Sequence, residues 1–191
     1  MRIGVVSDIH GNAAALARAL ELMGAVDELL CLGDCINEFQ FSNDTVALLR
    51  ERGAVAIQGN HEEQFFSAAG TRARAAPWIE PQLMAWLAGQ PRERRLQRAE
   101  RELLLVHATP WPSAGAYVCA HHRDFARFGE TTADILLYGH THVPVAQRVK
   151  DTLVVNPGST GESRLVDGRL ELSCAVLDVA RVEAQIMRFH A

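Results

Sequence analysis

The sequence lacks a Cys-x-x-Cys pair, and its four cysteines, Cys31, Cys35, Cys119 and Cys174, form no dense framework. That excludes a disulfide scaffold and a structural thiolate zinc site, and the four are read as reduced thiols. No excess of positive charge is present: the formal net charge is -4. A mildly acidic chain has no broad electrostatic reason to coat nucleic acid, so no extensive nucleic-acid surface is expected. Long apolar runs are missing too. The run at residues 3–6 is stopped by Ser7 and Asp8, too early for a secretory segment, and nothing reaches membrane-spanning length. A cytoplasmic protein without a membrane partner is therefore expected. There is no internal repeat, low-complexity tract or dividing linker. With 191 residues, one domain over 1–191 is the expectation.

What is present is alternation. Short apolar runs at 2–7, 29–33, 54–58, 102–107 and 135–139 have strand length and end in turn or polar residues. Between the first two, Asn12 reads as an N-cap, Leu16, Leu20 and Met23 share one face, and Gly24 is a stop. A second helix is expected over 42–50, capped by Ser42. Residues 80–87 and 120–128 are shorter helical candidates. The last third reads as strands at 143–149, 152–156, 170–178 and 182–189, with Asp167-Gly168 as a turn. Strand–helix units followed by a strand-rich section predict an α/β (α+β) arrangement with a partly antiparallel second sheet. The charge run at 92–101 is expected to be a solvated hairpin edge or loop, because Glu93, Glu100 and Glu102 interrupt its arginines.

The chemistry sits at the ends of the apolar runs. The first ends in Asp8-Ile9-His10, the second in Gly33-Asp34, the third in Gly59-Asn60-His61-Glu62. The fourth ends in His107 and the fifth in Gly139-His140-Thr141-His142. Five of the eight histidines fall at these five ends. Each motif alone has an ordinary explanation as a turn or a hydrogen-bonded core histidine. Together they do not, since imidazoles and carboxylates gathered without a cation would be a costly cluster of unsatisfied polar groups. Parallel strands of an open α/β sheet would bring all five ends to one edge, where ligands bind.

The donor set is nitrogen and oxygen without sulfur, which suits manganese, iron, zinc or cobalt. Seven candidate ligands are too many for one ion and fit two that share a carboxylate, ~3.5–4 Å apart. Two divalent cations carry four charges; Asp8 and Asp34 remove two and a hydroxide one more. The pocket stays positive and attracts an anion. Coordination lowers the pKa of water to about 7, which supplies hydroxide at neutral pH. Phosphate ester hydrolysis needs both effects.

The order Asp-x-His, Gly-Asp, Gly-Asn-His-Glu, His, Gly-His-x-His resembles the calcineurin-like metallophosphoesterases. It is especially similar to their small single-domain bacterial and archaeal phosphodiesterases, whose later turn is similar to Val155-Asn156-Pro157-Gly158-Ser159. The resemblance implies a four-layer α-β-β-α sandwich of two mixed sheets flanked by helices. It implies that Asp8, His10 and His142 bind one metal, that Asn60, His107 and His140 bind the other, and that Asp34 bridges them. Manganese is the expected pair, with iron, zinc, cobalt or nickel as alternatives. His61 would face the phosphate, steady developing charge and protonate the leaving oxygen. Glu62 would orient that imidazole. The expected partner is a small phosphoester substrate, and a homo-oligomer is left open.

Other branches of the family follow Gly-Asp with a Val-Asp-Arg-Gly-like run and place Arg before Gly-Asn-His. Here Cys35-Ile36-Asn37-Glu38 and Gln58 stand there, which points away from phosphoprotein and dinucleoside polyphosphate substrates. The competing readings are a phosphomonoesterase or nucleotide pyrophosphatase with the same metals, and a non-catalytic metal-binding scaffold similar to a eukaryotic retromer subunit. Residues 156–159 read equally as pocket lining or as a plain turn. Residues 65–81, with Arg72, Arg74 and Trp78, read as a solvated loop with a packed tryptophan, or as a lid.

Overall fold

The chain, as a computed structural model, is described over residues 1–112 and 115–190. Eleven strands are found among the described residues, in two sheets. The first contains β1 (Arg2–Val6), β2 (Glu28–Cys31) and β3 (Val55–Ala56). It also holds β9 (Arg164–Val166), β10 (Arg169–Asp178) and β11 (Glu183–His190). Their order is β11-β10-β1-β2-β3, with β9 hydrogen-bonded to β10. The second sheet contains β4 (Glu93–Arg98), β5 (Arg101–Val106), β6 (Ile135–Leu137), β7 (Val145–Val149) and β8 (Thr152–Asn156), ordered β4-β5-β6-β8-β7.

Both sheets are mixed. β1 pairs in parallel with β2, and β2 with β3. β5 pairs in parallel with β6, and β6 with β8. Antiparallel β10, β11, β4 and β7 complete the edges. The five chemistry-bearing runs are thus parallel, but not in one sheet as a single open α/β edge would have them. Three belong to the first sheet and two to the second. The two parallel sets end at the same rim of the sandwich, which gives the convergence expected of one edge.

Side-chain alternation explains why these runs read as continuously apolar. On β1, Ile3 and Val5 face the inter-sheet core, while Val6 faces the helices. On β2, Leu30 faces the same core and Leu29 and Cys31 the helices. Leu103 and Leu105 of β5, Ile135 and Leu137 of β6, and Leu153 and Val155 of β8 fill the core from the second sheet. Their neighbours Leu104, Leu136 and Val154 pack outward under Phe125, Phe128 and Tyr138. Every central strand is buried on both faces, so hydrophobic burial locks its register.

The outer helices follow the sequence cues. α1 (Ala13–Met23) is capped by Asn12, whose side chain accepts from the Ala15 N–H at 3.0 Å. α2 (Asn43–Glu51) is capped by Ser42. α3 is Asn60–Phe66, α4 is Thr71–Arg74, and α5 (Pro81–Ala88) starts with proline at its first position. Two expectations are corrected here. Residues 120–128 are turns followed by a 3-10 segment, Phe125–Glu130, rather than an α-helix. The stretch 65–81 is mostly helical rather than a loop. Its Arg74 donates to the carbonyls of Phe65 and Ser67, which folds the segment onto itself. The charged run at 92–101 forms the β4–β5 hairpin edge. No helix of the described residues is long and apolar enough to cross a membrane.

Candidate metal centre

Five site residues have backbones in the left-handed region: Asp8 (φ 53°), His10 (50°), Asp34 (51°), His140 (64°) and His142 (57°). Non-glycine residues rarely adopt this conformation, and strain of this kind clusters at functional sites. The surroundings enforce it. Ile9 and His10 N–H groups both donate to the Asp34 carbonyl, at 2.8 and 3.0 Å, and Gly11 N–H to Cys35 at 2.9 Å. The loop after β1 is thereby laced to the loop after β2. Gly59 and Gly139 allow close approaches at the site. A Cβ on Gly59 would lie 2.2 Å from Asp34 Oδ1, and one on Gly139 would lie 2.0 Å from Ser7 Oγ.

All seven expected ligands meet at this rim. Asp8, His10 and His142 form one group able to hold a cation; Asp34, His107 and His140 form a second; His10, Asp34 and His61 form a third between them. The Nε2 atoms of His10 and His142 are 3.1 Å apart, and His142 Nε2 is 3.3 Å from Asp8 Oδ1. Asn60 Oδ1 lies 3.0 Å from His107 Nε2 and 2.9 Å from His140 Nδ1. Asp34 Oδ2 is 3.2 Å from His107 Nε2 and 3.8 Å from His61 Nε2.

The far sides of two rings set their tautomers. His107 Nδ1 donates to the Leu32 carbonyl at 2.7 Å, and His140 Nε2 donates to the Gly115 carbonyl at 3.0 Å. In the neutral rings, His107 Nε2 and His140 Nδ1 then carry lone pairs, both aimed at another acceptor, Asn60 Oδ1. Acceptors facing acceptors are satisfied only by a proton or a cation, and distal carbonyl bonds of this kind are what orient metal-binding imidazoles. Among the described residues, His10 Nδ1 and His61 Nδ1 are buried without a hydrogen-bond partner. The donor set therefore fits divalent metal.

Charge in the cluster points the same way. Burial pushes His10 and His140 below the usual imidazole range. Burial acts likewise on His107, but the Asp34 carboxylate outweighs it and raises His107 well above that range. Burial raises Asp34, and the His107 cation more than offsets this, holding the carboxyl low. His142 is lowered by burial and raised further by Asp8. Protons here do part of a cation's work, and metal must displace them.

The expected role of Glu62 is corrected. Its fully buried carboxylate accepts from the N–H groups of Asp34, Cys35 and Gly59 at 2.8 Å and of Ile36 at 3.1 Å. As the third residue of α3 it reaches back to the helix start, so it clamps the Asp34 loop to the Asn60 turn instead of orienting His61. Burial and then the Asp34 charge raise its carboxyl to about 7.

Residues 156–159 neither line the pocket nor form an idle turn. Asn156 Nδ2 donates to the Gly139 carbonyl at 2.7 Å and to Thr141 Oγ1 at 3.1 Å. Ser159 Oγ donates to the Asp8 carbonyl at 2.7 Å. They brace from behind two loops that carry candidate ligands. The sequence reading missed three residues at the cleft: Tyr117, stacked on His140 with centroids 4.1 Å apart, Glu162 and Arg164. None lies at the end of a parallel strand, so none carried a signal. Trp78 does not line the cleft; it is exposed, with its carbonyl held by Asn43 at 2.8 Å. Cys31 and Cys35 are buried thiols with Sγ atoms 3.5 Å apart.

The chain is similar to known phosphoesterases. A probable metallophosphoesterase of Methanothermobacter thermautotrophicus is 28% identical over 196 residues, spanning 100% of this chain and 94% of its own length. Phosphodiesterase YfcE of Escherichia coli K12 is 26% identical over 161 residues, 83% of this chain and 79% of that one. The crystal structure of a metallophosphoesterase from Sphaerobacter thermophilus superposes with a TM-score of 0.74 at 23% identity, covering 100% of this chain and 89% of that chain. The calcineurin-like phosphoesterase superfamily domain matches residues 1–181, and the chain belongs to that superfamily.

Proposed function

We propose that this protein is a phosphodiesterase that works with two divalent metal ions, manganese first among the candidates. The observation that carries the reading is the convergence of Asp8, His10, Asp34, Asn60, His107, His140 and His142 into overlapping cation-sized groups. Asp8, His10 and His142 would hold one ion, Asn60, His107 and His140 the other, and Asp34 both. Such a pair supplies Lewis-acid charge and a water of lowered pKa.

The chain's own residues do the rest. His61 lies at the cleft beside Asp34, partly exposed, its ring set edge-on to His10 with centroids 4.7 Å apart. Its Nε2 would meet the phosphate and pass a proton to the leaving oxygen. Two cavities meet at the cluster. One of about 440 Å³ is lined by His10, His61, Tyr117 and Arg164. Another of about 280 Å³ is lined by Gln58, Glu63, Arg92 and Thr109. Asn60 and His140 border both. A phosphorus between them has room for an organic group on each side, which favours a diester over a monoester.

The test is metal analysis of purified protein followed by rates on an aryl phosphodiester and an aryl phosphomonoester, with and without Mn²⁺. Metal-dependent turnover that favours the diester is expected. Faster turnover of the monoester would hand the site to a phosphomonoesterase.

A further inference from the structure

We propose that Arg164 is the phosphate-binding cation of the cleft, gripping the unesterified oxygens of a substrate at the metal cluster; this rests on the phosphoesterase reading above. Two arginines, Arg92 and Arg164, line the cavities that meet at the cluster. Arg92 is already paired, its Nε 3.0 Å from Glu63. Arg164 takes part in none of the ion pairs found among the described residues. Among the described residues its guanidinium makes one hydrogen bond, from a terminal nitrogen to the His142 carbonyl at 3.0 Å. That bond anchors a half-buried guanidinium beside the expected ligands, and its remaining N–H groups have no partner among the described residues.

The neighbouring carboxylate does not neutralise it. Glu162 turns instead towards the histidines, 3.5 Å from His10 Nε2 and 3.7 Å from His142 Nδ1. An unpaired guanidinium next to a site for divalent cations is unfavourable by Coulomb repulsion, unless an anion sits between the two. A phosphate is such an anion, and the planar fork matches two of its oxygens. Gln58, at the other cavity, has its amide committed to the carbonyls of Leu87 and Ala88 at 3.1 Å, so it offers no competing grip.

The experiment compares wild type, Arg164→Ala and Arg164→Lys, each loaded with Mn²⁺. Inorganic phosphate is titrated by calorimetry, bound metal is counted, and turnover of a bis-aryl phosphate is measured. Arg164→Ala is expected to weaken phosphate binding about tenfold or more and to raise KM in step, with metal content unchanged. Lysine is expected to restore only part of the affinity, since it lacks the fork. Phosphate affinity within twofold of wild type in both variants overturns the proposal. So does loss of metal with unchanged phosphate affinity per loaded site, which would reduce Arg164 to a prop for His142. If phosphate binding follows Arg164 while the loaded wild type hydrolyses no phosphoester, the inference stands and the phosphodiesterase reading falls.

Discussion

At the residue scale, neighbouring histidines at one rim are asked to do different things. His10, His107, His140 and His142 each approach an acceptor or another imidazole at about the distance of a shared cation. His61 stands off at 3.8 Å from Asp34 with Nδ1 unpartnered. Replacing it should leave the metals in place and remove proton transfer. His61→Ala is expected to lower kcat by roughly 10²–10⁴ with metal content equal to wild type; kcat within a few-fold of wild type would strip His61 of that part. Glu62 stands next in sequence and does something else. Glu62→Ala would strand four buried N–H groups, on Asp34, Cys35, Ile36 and Gly59. A loss of at least about 2 kcal/mol follows, or roughly 4–8 °C in melting temperature for a chain of this size. Calorimetry of the metal-free variant measures it, and an unchanged melting point would contradict the clamp. The candidate ligands were legible because each His, Asp or Asn stands at the end of an apolar run. The work of Glu62 was not, because its partners at 34–36 lie 26–28 residues away and only the folded loop reveals them.

At the scale of elements, strands buried on both faces announced themselves as unbroken apolar runs, and the Asn12 and Ser42 caps marked their helices correctly. Short elements without such patterns were harder. β9 has three residues and half-exposed side chains, and no run of hydrophobicity marks it. The 3-10 segment Phe125–Glu130 buries Phe125 and Phe128 with a spacing that an α-helix shares, so the pattern alone could not separate the two. Pairing of five runs in one sheet was the natural reading, but parallel strands carry no mark of which sheet they join. The β8–β9 connection shows what elements contribute beyond ligands. Asn156 ties the Gly139–Thr141 turn to the end of β8, and Ser159 ties down Asp8. Asn156→Ala should therefore loosen both imidazoles that follow Gly139. Metal affinity is expected to fall about 10–100-fold, the usual effect of removing an outer partner. Titration with Mn²⁺ checks this, and affinity within twofold of wild type would show that the turn holds itself.

For the whole molecule, the distribution of ligands over the two sheets has a mechanical consequence. Asp8, His10, Asp34 and Asn60 follow strands of the first sheet; His107, His140 and His142 follow strands of the second. Between the sheets lies an apolar layer that includes Ile3, Leu30, Leu105 and Val155, which imposes no direction at the rim. At the rim, imidazoles lie against buried carboxylates, His107 at 3.2 Å from Asp34 and His142 at 3.3 Å from Asp8, with Asp8 and Asp34 at 0% and 2% exposure. Metal held by donors from both sheets would join loops far apart in sequence, and a chain unfolded at those loops could not present that donor set. Binding must then stabilise global folding and not only local order. At a free metal concentration about 100-fold above Kd the gain is roughly 2.7 kcal/mol, on the order of 5–10 °C for a chain of this length. Stripping the protein with a chelator and adding back Mn²⁺ should lower and then restore one cooperative melting transition. His107→Ala, which deletes a second-sheet donor, should shrink the shift. A melting curve that ignores metal up to millimolar concentration would mean that the seven side chains converge without holding an ion, and the proposed chemistry would lose its footing.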